Sequence, residues 1–183
     1  FEYIRRAKEA GLQVTCSVTP HHLFFCDEDL LEYDCNLKVN PPLRSKEDMM
    51  ALREAVLNGT VDCIATHHMP HEWDSKICEF EYAKNGMTGL ETSYAALNTV
   101  LPNLSAEQVS TLFSLNARKI FNLPAAEIKE GETADITLFN NDGDTQLTNE
   151  TTKSRSVNSA FMNKMLKGKV IGIFTKANKF INP

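Results

Sequence analysis

The segment that most constrains this chain is residues 61–71, Val-Asp-Cys-Ile-Ala-Thr-His-His-Met-Pro-His. A short apolar run bounded by polar residues ends there in three histidines within five positions. A strand buried on both faces of a parallel sheet requires such a run, and in α/β barrels the chemistry sits where such strands end. A neutral imidazole at that end can bind a metal or accept a proton.

The sequence around it alternates strand with helix. Residues 12–19, Leu-Gln-Val-Thr-Cys-Ser-Val-Thr, are rich in β-branched side chains and stop at Pro20, which predicts a strand. Residues 36–40, Asn-Leu-Lys-Val-Asn, alternate as a second short strand before Pro41 and Pro42, which offer a ladder no donors. Ser45, followed by Glu47 and Asp48, opens a helix that Asn58-Gly59 closes. Met49, Met50, Leu52, Ala55, Val56 and Leu57 are its expected buried side. Strand, helix and strand at this interval is the pattern of a parallel sheet.

Two more helices are predicted over 92–101 and 105–123, the second opened by a Ser105…Gln108 capping box. Residues 1–10 read as the end of a helix stopped by Gly11, so the sequence is expected to open in mid-architecture and not on a signal peptide. Near Pro124 the composition changes. Residues 128–139 pass from a turn into a strand, 140–159 are polar, and a last strand is expected at 170–174.

Composition excludes several classes. With 183 residues and a net charge of −5 the chain lacks the basic character of a nucleic-acid surface. No apolar run approaches the roughly 20 residues a membrane span needs. The cysteines (16, 26, 35, 63 and 78) form no C-x-x-C pair, as expected for reduced thiols in a cytoplasmic protein.

Local patterns single out further residues. A lone histidine after a strand is usually a surface hydrogen-bonding residue, but Thr19-Pro20-His21-His22-Leu23 is more specific. Asn40 can offer a ligand both a donor and an acceptor, or can simply close a turn. Gly86 and Gly89, three apart, allow the backbone close approach to a ligand.

In order along the chain, Thr-Pro-His-His-Leu, Asn-Pro-Pro-Leu-Arg, Ile-Ala-Thr-x-His-x-Pro-His and Gly-x-x-Gly-Leu-Glu-Thr resemble the dihydroorotases and related cyclic amidohydrolases. The resemblance implies an α/β fold: the C-terminal part of a (β/α)8 TIM-type barrel over residues 1–125, then a small β-sandwich domain over 126–183. Three barrel strands are read here, and a whole barrel takes about 250 residues, so an N-terminal half is an implied partner. The resemblance also implies zinc, with His21 as a ligand and His22 as a packing neighbour. Asn40, His71, Asn85 and Gly86 would contact the substrate, dihydroorotate or carbamoyl aspartate.

The family carries a metal-binding, proton-moving aspartate where this chain has His67. Two functions follow. One is reversible zinc-dependent hydrolysis of the cyclic amide of dihydroorotate in pyrimidine biosynthesis, with His67 catalytic. The other is a non-catalytic dihydroorotase-like subunit supporting aspartate transcarbamoylase. A homo-oligomer is expected because half a barrel leaves sheet edges uncovered. A separate zinc site of His67, His68 and His71 lacks the usual ligand spacing.

Overall fold

The computed structural model describes residues 1–124, 127–176 and 178–182. Helix α1 (Glu2–Glu9) leads to strand β1 (Ser17–Val18), the short helix α2 (Pro20–Phe24), helix α3 (Lys46–Leu57) and strand β2 (Cys63–Ile64). The two strands pair in parallel, Ser17 opposite Cys63 and Val18 opposite Ile64. Lys8 fixes α1 beneath them by donating to both carboxylate oxygens of Asp62, at 2.8 and 2.7 Å. The same carboxylate accepts from Cys16 N at 2.8 Å. A side chain therefore occupies the lower end of β1, and the strand is much shorter than the predicted span of 12–19.

Residues 36–40 do not form the expected strand. The Asp34 side chain accepts from Asn36 N and starts a 3-10 turn, Cys35–Leu37. The chain then runs extended to a cis Asn40–Pro41 bond. A backbone bond from Gly86 N to Lys38 O, 2.8 Å, ties it to the glycine loop.

Helix α3 forms as expected, with Ser45 Oγ accepting from Asp48 N. Met49, Ala55 and Val56 are buried, but Met50 and Leu57 are about half exposed. Positions 50 and 57 lie seven apart on one stripe, which faces away from the core.

Helix α4 (Ser93–Val100) is followed by α5 (Ala106–Ser110), a π-helical turn (Thr111–Leu115) and α6 (Asn116–Ile120). The Ser105–Gln108 capping box is present. The π turn swings Asn116 so that its Nδ2 donates to Asp62 O at 2.9 Å, which ties this helix to the base of β2.

The last third forms an antiparallel sheet in the order β3 (Asp135–Gln146), β4 (Met165–Thr175), β5 (Asn178–Ile181). Both β3 and β4 exceed the predicted strands, because an irregular register at Asn140/Asp144 lets pairing resume. This sheet is fastened to α4. Tyr94 donates to Asn141 Oδ1 at 2.6 Å, Asn98 Nδ2 to Asn141 O at 3.0 Å, and Lys167 N to Thr99 Oγ1 at 2.8 Å. The expected domain boundary at 125/126 falls on Ala125 and Ala126, outside the described residues.

Two apolar clusters hold the chain. One gathers Val18, Leu23, Val56, Ile64, Leu97 and Leu112 around the parallel pair. The other joins Phe25, Val39, Met87 and Ala96 to Phe161 and Leu166. The fold class is mixed α/β, as expected. Among the described residues no helix is long and apolar enough to cross a membrane, and the five cysteines are free thiols.

Candidate functional site

Strands β1 and β2 deliver their histidines at the same end of the parallel pair. Beyond β1, Thr19 caps α2 by accepting from His22 N at 3.2 Å, and Pro20 supplies the fixed first turn. This buries His21, which is 2% exposed, and leaves its Nε2 with no hydrogen-bond partner. Burial first, then the His22 and His67 rings, lowers the His21 pKa to about 3. The ring is therefore neutral, the form that ligates a metal.

His22 is bound on both ring nitrogens, Nδ1 to Thr19 Oγ1 at 2.6 Å and Nε2 to Pro41 O at 2.9 Å. A carbonyl only accepts, so Nε2 carries the proton. His22 thereby joins the end of β1 to the loop that carries Asn40. Burial depresses its pKa too, partly opposed by the Pro41 and Pro42 carbonyls.

Beyond β2 the three histidines diverge. His67 takes a left-handed conformation (φ 46°). Its ring stacks near that of His21, with centroids 6.2 Å apart and planes inclined by 20°. A non-glycine residue in that region is uncommon and tends to occur at functional sites. His68 turns to the other side, where its Nδ1 accepts from Gly89 N (3.1 Å) and Leu90 N (3.3 Å). His71 donates from Nε2 to Asn85 O at 2.8 Å, which leaves its Nδ1 as the free ring nitrogen. The separate zinc site of His67, His68 and His71 is not formed. Among the described residues no group of three or more His, Cys, Asp or Glu side chains is arranged to hold a metal.

The sequence-predicted contact residues lie on loops that are tied together. Gly86 N bonds Lys38 O, two residues before Asn40, and Asn85 O receives His71. Asn40 and Asn85 are exposed and Gly86 is buried. A Cβ on Gly86 would lie 2.7 Å from Met69 Cβ, and one on Gly89 would lie 2.6 Å from Thr66 O. The backbone of the glycine loop is thus packed closely on the segment that follows β2.

One residue escaped the sequence reading. Asn158, 6% exposed, accepts from His71 N at 3.0 Å and donates to Met69 O at 2.9 Å. It lies within a polar run that gave no signal, and its role depends on contacts 87 and 89 residues distant.

A lone buried imidazole with an orphaned nitrogen suits one ligand position of a metal centre, and the remaining ligands have to come from elsewhere. No family model matches the chain. A dihydroorotase from Syntrophus aciditrophicus is 42% identical over 171 residues, which is 92% of this chain and 40% of that protein. The chain thus spans about two-fifths of the length of the curated relatives it matches.

An L-hydantoinase (dihydropyrimidinase) from Arthrobacter aurescens superposes with a TM-score of 0.88 at 26% identity, covering 97% of this chain and 41% of that one. An inactive dihydroorotase-like domain of the Chaetomium thermophilum CAD-like multifunctional protein superposes at 0.68 with 21% identity, covering 97% and 47%. At that identity the likeness speaks for the fold alone. By sequence, and in keeping with its fold, this chain belongs with the dihydroorotases of the cyclic amidohydrolase superfamily, as the counterpart of their C-terminal part.

Proposed function

We propose that this chain forms the substrate-facing part of a dihydroorotase, which reversibly hydrolyses the cyclic amide of dihydroorotate to N-carbamoyl-aspartate in pyrimidine biosynthesis. The observation that carries this reading is the buried, unpartnered Nε2 of His21 beside the stacked ring of His67. Residues 1–125 act as the last units of a (β/α)8 barrel and 126–183 as a small β-sandwich. The rest of the barrel, with the other metal ligands, comes from an N-terminal half. The protein works in the cytoplasm as a homo-oligomer.

His21 would hold zinc through Nε2. Zinc supplies Lewis-acid activation of water and of the amide carbonyl. His67 then accepts the proton from the attacking water and returns it to the leaving nitrogen. A neutral imidazole can do this, but it brings no negative charge, so the site is one charge more positive than with an aspartate. Asn40, Asn85, Gly86 and the free Nδ1 of His71 bind and orient the substrate, with the His71 ring held in one tautomer by Asn85 O.

A second reading rests on the same residue. With His67 in place of the proton-moving carboxylate, the protein is a non-catalytic dihydroorotase-like subunit that supports aspartate transcarbamoylase. An assay of the full-length, zinc-loaded protein in both directions separates the two. Turnover of about 1–10³ per second supports the enzyme. A zinc-loaded native protein without detectable turnover, with His67→Asp about 10²–10⁴-fold more active, favours the non-catalytic reading.

A further inference from the structure

We infer that Asn158 is a positioning residue for the substrate-facing loops, acting through His71 and Gly86. What those loops bind rests on the dihydroorotase reading; the positioning does not. The segment after β2 pairs directly with the glycine loop only briefly, through a parallel bridge between His68 and Met87 and a bond from Met69 N to Met87 O at 2.9 Å. The next donor that would face the glycine loop is His71 N, since donors to one partner alternate along a strand, and it is bonded to the Asn158 side chain.

The Asn158 amide takes the place of the ladder there, since it carries a donor and an acceptor like a peptide unit. Nδ2 donates to Met69 O at 2.9 Å and to Gly86 O at 3.4 Å, and Oδ1 accepts from His71 N at 3.0 Å. Its own carbonyl accepts from Thr88 N at 2.8 Å. Only this amide orientation satisfies every partner, because the reverse would face two carbonyls with an oxygen and an N–H with an NH2.

These bonds close a circuit. Asn158 holds the backbone of His71, Asn85 holds its ring, and Gly86, the next residue, is again held by Asn158. A displacement at Asn158 therefore moves both ends of the His71 ring contact. Asn158 is itself delivered on an anchored strap, because the Glu91 carboxylate accepts from Thr152 Oγ1, Lys153 N and Ser154 N at 2.8, 2.8 and 3.1 Å.

The test uses the isotope-labelled, full-length, zinc-loaded protein and its Asn158→Asp variant, which turns an oxygen toward the Met69 and Gly86 carbonyls. Long-range proton–nitrogen correlation reads the His71 ring, and steady-state kinetics reads KM against kcat. The native ring is expected as one tautomer with its proton on Nε2. The variant is expected to show both tautomers and a KM for carbamoyl aspartate raised about tenfold with kcat much less affected.

A folded variant with an unchanged His71 ring and unchanged KM overturns the inference. So does a native His71 that already populates both tautomers, a result that needs no variant to fold. A native protein that neither turns over nor binds carbamoyl aspartate sinks the dihydroorotase reading, while the His71 signal still decides the positioning.

Discussion

Gly86 and His67 both hold positive-φ backbone conformations in the candidate site. Gly86 has φ +112° and no room for a Cβ against Met69, so Gly86→Ala meets both strain and overlap. We expect it to lower stability by about 1–3 kcal/mol, read as a shift of the denaturant midpoint, and to weaken substrate binding further. His67→Asp is a cleaner change, since aspartate also tolerates the left-handed region that His67 occupies; its folding stability should stay within about 0.5 kcal/mol of the native protein.

His21, His67 and Gly86 are singled out in the sequence because each sits in a short local pattern. Nothing local in the sequence points to Asn158. A residue that works by hydrogen-bonding loops far away in sequence leaves no periodicity to read.

Among the elements, helices were more legible than strands. The Ser45 cap and the Ser105 box are local chemistry, and both appear in the fold. Strand lengths depended on distant partners. The Asp62 carboxylate curtails β1, and the Asp34 cap converts the start of 36–40 into a turn.

Asp62 therefore offers a test at this scale. Asp62→Asn removes the Lys8 ion pair while keeping a side-chain acceptor for Cys16 N, and should cost about 1–2 kcal/mol, limited by the partial exposure of the pair. Equilibrium denaturation of both proteins measures it.

The junction of α4 with β3 is open to a pH test. Burial raises the Tyr94 pKa above its ordinary 10.0, with Asp142 adding to it. The unfolded chain then loses this proton first, so the stability Tyr94 contributes is intact below pH 10 and falls as pH rises beyond it. Tyr94→Phe should flatten this alkaline decline in denaturant midpoint between about pH 9 and 11; an unchanged decline would place its origin elsewhere.

For the whole molecule, the resemblance in ordered motifs told more than periodicity did. Only two strands of two residues form the parallel pair, too little for a barrel to be read from hydrophobic pattern alone. That pair has open edges among the described residues, and Leu12 and Val14 beside it are exposed. Such edges recruit further chain, so residues 1–183 by themselves should self-associate in sedimentation at micromolar concentration. A compact, cooperatively folding monomer would count against the partial-barrel account.

The proposed function stands on His21 as a metal ligand of a dihydroorotase-type site. The most direct measurement is a crystal structure of the full-length protein with zinc and carbamoyl aspartate, with data collected at the zinc absorption edge. An anomalous peak is expected about 2.0–2.1 Å from His21 Nε2, with the ligand against His71 and Gly86. Zinc held elsewhere, with His21 Nε2 still unligated, would contradict it.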